Sequence, residues 1–182
     1  MAVPTYAGII IDLIVALVLV FSLIGGLKGG AVKEFFGLLA FIVALSLTGA
    51  FTAYVWAWMS FATDHLWRAF FTFLVTMGII LVILHLVFLL PRNLLDKVWN
   101  GGFMWNVLGG IFGLLKTALG LVLMVTLFDI YPVLNWLSDL LAASNALNWL
   151  MSTFGSIISS LLHMTGANLQ AMNISISFYA VL

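Results

Sequence analysis

The chain has 182 residues, 65% of them hydrophobic and 7% charged, with a formal net charge of zero and no cysteine. A soluble domain carries about a quarter charged residues, and a chain this short cannot hide so much apolar surface in one aqueous core, so its solvent is lipid. Zero net charge excludes a nucleic-acid or polybasic membrane-surface binder, and the missing thiols exclude disulfides, thiolate catalysis and cysteine-ligated metal.

A helix crosses a bilayer with about 20 mostly apolar residues. The first such stretch covers residues 6–25 and carries one acid, Asp12. It has no basic region before it and no small-residue cleavage site, so it reads as a retained span and not a signal peptide. The next ten residues, GGLKGGAVKE, hold Gly26, Lys28, Gly30, Lys33 and Glu34. They follow a helix instead of a strand and lack the order of a phosphate-binding loop. They read as a tight turn: glycine lets the chain reverse, and Glu34 stands near a helix N-terminus, where negative charge is favoured.

The second span covers residues 35–55, with its helix starting about a turn earlier, near Ala31. The third covers residues 69–90 and is expected to stop at Pro91, which lacks an amide hydrogen and clashes with the preceding turn. Beyond it, RNLLDKVW places Leu94, Leu95, Val98 and Trp99 opposite Arg92, Asp96 and Lys97, as in a short helix lying on the inner membrane surface. Asn100, Gly101 and Gly102 end that helix. The fourth span covers residues 107–128, shortly before Pro132. All seven tryptophans lie outside these four limits, as expected of a ring that prefers the headgroup layer.

The last pattern is amphipathic. Leu147, Leu150, Met151, Phe154, Ile157, Ile158, Leu161 and Leu162 recur at three- and four-residue steps. Asn148, Ser152, Thr153, Gly155, Ser156, Ser159, Ser160 and His163 fill the other side, with no charge among them. A surface helix usually carries lysine or arginine there, whereas small neutral groups suit tight packing in lipid or a wet path. The stripe Ser152, Ser156 and Ser159 therefore predicts a helix docked on the bundle or on a neighbouring copy, with a plain surface helix and a pore-lining helix as alternatives. The expected class is an all-α membrane protein: four transmembrane helices, an inner interfacial helix and C-terminal amphipathic helices. Its domains are residues 1–130, the four-span unit, and 131–182, a C-terminal extension.

Lysine and arginine orient the spans. The first connection has Lys28 and Lys33 and the third has Arg92 and Lys97, against Arg68 alone in the second. The positive-inside rule puts the first and third in the cytoplasm and both termini outside. Each charge inside a span then needs a reason. Glu34, His85 and Lys116 fall within about 15 Å of the inner side at about 1.5 Å per residue. Lys116 either pairs with Glu34, with His85 nearby, or snorkels alone to the headgroups. Asp12, near the outer side, is either a helix end reached by water or a proton or cation site. Gly109 and Gly113 form a G-x-x-x-G with Gly120 two turns on, which lets helices approach closely; Gly26 and Gly30 are grouped with them.

The stretch from Gly26 to Leu45, through Lys28, Gly30, Lys33 and Glu34, resembles the first cytoplasmic turn of the colicin V production family. Asp12 matches an aspartate of that family's first span, and VLGGIFGLLKTALGLVL, with Gly109, Gly113 and Lys116, resembles its fourth. Thr117 departs from a glycine often found there, and the likeness covers about residues 6–130. The resemblance implies a bacterial inner-membrane protein linked to colicin V export and envelope function, as an oligomeric scaffold or a pore. A small proton-coupled exporter using Asp12 is the alternative. No hydrolase, zinc-peptidase or dinucleotide signature occurs and the histidines are scattered. The expectation is a non-enzyme without cofactor or metal, whose partners are the bilayer and further copies or other envelope proteins.

Overall fold

The computed structural model describes residues 5–59, 65–98, 102–131 and 133–165. They form six helices and, among the described residues, no strand: α1 (Thr5–Gly29), α2 (Ala31–Trp58), α3 (His65–Val98), α4 (Phe103–Ile130), α5 (Asn135–Ala142) and α6 (Asn145–Thr165). Four are long and apolar enough to cross a membrane, over Tyr6–Gly29, Ala31–Trp58, His65–Leu95 and Phe103–Ile130. Each outruns the apolar stretch that announced it, taking in flanking glycine, tryptophan and charged residues. Unpaired backbone groups are costly near the bilayer, so helices continue into its polar margins.

Two boundaries differ from the sequence expectation. The glycine-rich turn shrinks to one residue, because α1 runs on to Gly29 and α2 starts at Ala31. Gly30 makes the reversal with φ at 78°, a left-handed conformation that side-chain-bearing residues rarely take. At the other connection, Pro91 lies inside α3 and does not end it. The separate surface helix expected after Pro91 is instead the last turns of α3, and Trp99 to Gly101 lie outside the described residues. One proline removes a single ladder bond, which a long membrane helix tolerates. At about 1.5 Å per residue the helix reaches about 50 Å, well past a hydrocarbon core of about 30 Å.

The spans do not pack in chain order. α1 packs chiefly on α4, α4 also packs on α2, and α2 on α3, while α1 and α2 touch little despite their one-residue link. The result is a row, α1–α4–α2–α3. Leu45, Phe73, Met77, Leu119, Val122 and Leu123 form its buried interior. Outward faces such as Ile9, Leu13, Leu17 and Phe21 on α1, and Val82, Leu86 and Leu90 on α3, remain exposed and are suited to lipid. Thr48, Thr52 and Thr76 are buried, and each hydroxyl donates to the carbonyl four residues earlier.

α6 lies against α4 and α2, with a smaller contact to α1. It docks on the bundle, but not by the serine stripe. Leu147, Leu150, Ile158 and Leu162 are the buried side, whereas Ser152 and Ser156 are exposed and Ser159 is half-buried. Ser152 donates to the Trp149 carbonyl at 2.8 Å and Ser159 to the Ser156 carbonyl at 3.0 Å. Within this chain those hydroxyls are satisfied by their own helix, so apolar burial wins the docking face. The His163 side chain lies outside the described residues.

Candidate functional site

The bundle end that carries Gly30 is drawn together by glycines. A Cβ on Gly26 would run into the Gly109 carbonyl, and one on Gly109 into the backbone of Gly26 and Gly30. A Cβ on Gly113 would sit 2.9 Å from the Ser22 carbonyl oxygen. Such backbone contact is the close approach that small residues permit in lipid. Beside it, Ser22 Oγ donates to the Gly113 carbonyl at 2.7 Å and lies 2.6 Å from Thr117 Oγ1. Ser22 has one hydroxyl proton, so Thr117 donates in the second bond. Gly26, Gly109 and Gly113 thus meet between α1 and α4, a partner that the G-x-x-x-G spacing did not name. Gly30 serves the turn through its backbone angle, with nothing within 4 Å of a Cβ placed on it. Gly120 is a correction: it too has nothing within 4 Å, so it makes no close helix contact.

With α4 held against α1 and α2, Lys116 lies two turns past Gly109 and reaches into the first turn of α2. Its Nζ hydrogen-bonds and ion-pairs with the Glu34 carboxylate. Glu34 is buried, while the Lys116 side chain is 35% exposed. A Cβ on Gly37 would lie 3.5 Å from Lys116 Nζ, an ordinary contact distance, so Gly37 faces the lysine without being required for it. Between α2, α3 and α4 the pair borders a cavity of about 130 Å³. Lys33, His85 and Arg92 complete its polar wall, and Phe36, Phe88 and Ala40 its apolar wall. The Phe36 and Phe88 rings stand 5.4 Å apart. His85 therefore does lie beside the pair. Arg92, read from sequence as an orienting charge and as part of the polar side of a surface helix, joins the same cavity because α3 continues past Pro91. Lys28 does not line it; it is exposed in the last turn of α1, where a cation complements the helix dipole.

Asp12 lies at the opposite end, and its surroundings were not legible in the sequence. Its carboxylate accepts a hydrogen bond from Ser144 Oγ at 2.6 Å and another from the Ala146 N–H at 2.9 Å. Ser144 Oγ in turn accepts from the Leu147 N–H at 3.1 Å. Asp12 and Ser144 together cap the N-terminus of α6, where N–H groups otherwise lack partners. A Cβ on Gly8 would strike the Ala143 carbonyl, so the α5–α6 junction sits directly on α1. The only sequence signal was the pairing of a small residue with an acid four positions later, and nothing local says what they meet.

Among the described residues no group of three or more His, Asp or Glu side chains could hold a metal ion. Four apolar crossing helices with a charged cavity near one end define a polytopic α-helical membrane protein. Residues 11–168 match the family described as colicin V production protein, and the chain belongs to that family. The match runs past residue 130 and takes in α5 and all of α6. No curated protein and no solved structure is similar enough to the chain to match it.

Proposed function

We propose that the protein is a packed, non-catalytic scaffold of the inner membrane that supports colicin V-type toxin production or export and envelope upkeep. On this reading the Gly30 end faces the cytoplasm and both termini face outward, as the lysine and arginine bias favours. Its partners are lipid, further copies of the chain or other envelope membrane proteins.

One observation carries the choice of scaffold over pore. Beyond the cavity, the interior is closed by Leu45, Phe73, Met77, Leu119 and Val122, and the buried Thr48, Thr52 and Thr76 hydroxyls are bonded to their own helices. A pore needs a continuous polar path; a scaffold needs only packed helices. The exporter reading draws no support from Asp12, whose carboxylate is engaged in capping α6. Purified protein reconstituted in liposomes, with its oligomeric mass measured in parallel, tests the proposal. The expected result is ion leakage no greater than in protein-free liposomes. Unitary conductance steps would replace the scaffold with a pore built from several copies.

A further inference from the structure

We propose that Asp12 is a proton-operated latch that fastens the start of α6 to α1. α5 and α6 form a strap laid over the bundle, and α6 makes a smaller contact with α1 than with α4 and α2. The polar part of that smaller contact converges on one atom. Asp12 Oδ1 accepts from Ser144 Oγ at 2.6 Å and from the Ala146 N–H at 2.9 Å. Ser144 is fully buried, whereas Asp12 is only half-buried, so a proton can reach its carboxylate.

Among the described residues no cation answers that carboxylate. The basic residues of α1 and of the helices packed on it are Lys28, Lys33 and Lys116, which lie at or toward the Gly30 end. α5 and α6 carry neither lysine nor arginine. The other titratable groups at the Asp12 end are acids and phenols: Tyr6 on α1, Tyr54 on α2, Asp129 and Tyr131 at the end of α4, and Asp139 on α5. The charge of Asp12 is therefore met by neutral donors and by the positive end of the α6 dipole.

A hydrogen bond to a carboxylate is roughly twice as strong as one to a neutral acceptor, so a single proton on Asp12 weakens both bonds at once. The sign follows. The latch holds while Asp12 is ionised and loosens as pH falls through the aspartate range, ordinarily near about 4. Ser144 Oγ also accepts from the Leu147 N–H at 3.1 Å, so the loosening spreads into the first turn of α6. On the orientation proposed above, the latch answers to the outer compartment. The measurement below is made in detergent, so the latch and that orientation stand or fall separately.

The test follows amide hydrogen exchange of purified full-length protein in micelles between pH 7 and pH 3, with each rate divided by the intrinsic rate at that pH. Protection of the Ala146 and Leu147 amides should fall by about fivefold or more on acidification, as the charge-assisted part of the two bonds is lost. Leu119 and Val122 in α4 should keep theirs. Asp12→Asn, which keeps the shape and removes the charge, should show the low protection already at pH 7 and no further change with pH. Asp129→Asn and Asp139→Asn should leave the transition in place. Unchanged protection in the wild-type chain overturns the latch, as does a transition that survives in Asp12→Asn or disappears in Asp129→Asn or Asp139→Asn. A fall shared by α4 also overturns it, because acid would then be loosening the whole bundle. Should Asp12→Asn fail to fold, the wild-type titration and the other two variants still decide.

Discussion

Glu34 and Lys116 show what a single ion pair does in lipid. Glu34 is buried and Lys116 is only 35% exposed, so neither can shed its partner and be fully rehydrated. Removing one partner strands the other; given the partial exposure of the lysine, we expect Glu34→Gln or Lys116→Met each to destabilise the fold by about 2 kcal/mol. The double variant should lose less than the two singles combined, by about 1 kcal/mol, because their loss is shared. Denaturant unfolding in mixed micelles measures all four proteins of this cycle. Strict additivity would mean that the contact contributes nothing. Arg68 offers a second residue-scale device: it donates to the Trp56 carbonyl at 2.7 Å and lies 4.3 Å from that indole's centre. A cation there serves the carbonyl end of α2 and the ring face together.

At the scale of helices, the α1–α4 contact depends on backbone meeting backbone. Gly109→Ala puts a methyl group into the Gly26 and Gly30 backbone, which cannot retreat without separating the helices. It should lower stability by about 1–3 kcal/mol, the usual range for overpacking. Gly120→Ala meets open space and should be neutral or raise stability by about 0.5 kcal/mol through helix propensity. The ranking of the two melting temperatures is the readout, and a similar loss at both positions would mean that the crossing tolerates separation. The α6 cap has its own signature. Asp12→Ala or Ser144→Ala should cost about 1 kcal/mol, as lost caps do. Amide hydrogen exchange should rise in the first turns of α6 while the α1–α4 core stays protected.

For the whole molecule, the row of helices sets which surfaces face each compartment. Lys28 ends α1 at one side of the bundle, while Asn148 is exposed on α6, whose start is tied to Asp12 at the other. Lys28→Cys and Asn148→Cys in this cysteine-free chain should therefore react with an impermeant thiol reagent from opposite sides of the membrane. Reaction of both from one side would break the topology. Leucine at Ser152, Ser156 and Ser159 tests the outward face of α6. Because the hydroxyls of Ser152 and Ser159 bond to their own helix, the folded chain should keep its melting temperature within a few degrees, as surface changes usually do. A large loss of stability would show that the face is packed.

Composition, the four apolar runs and the excluded tryptophans are sufficient to read an all-helical four-span membrane protein, because the bilayer admits few other solutions. The Glu34–Lys116 pair was legible as one of two readings, since insertion depth brings two opposite charges to one level; the contact itself, instead of a lone lysine snorkelling, was decided by the fold. Helix ends were less so. Proline and glycine were read as stops, yet α1 runs through Gly25, Gly26 and Gly29 and α3 through Pro91; local propensity was overruled by the surroundings of the helix. Three matters belonged to the tertiary structure alone. The order α1–α4–α2–α3 belongs to the packed chain, in which Gly26 of α1 finds Gly109 and Gly113 of α4. The meeting of Asp12 with Ser144 joins residues 132 positions apart, and no local period encodes such a distance. The outward turn of the serine stripe follows from a competition between two faces of α6, in which burying leucine and isoleucine against α4 and α2 yields more than burying hydroxyls that their own helix already satisfies.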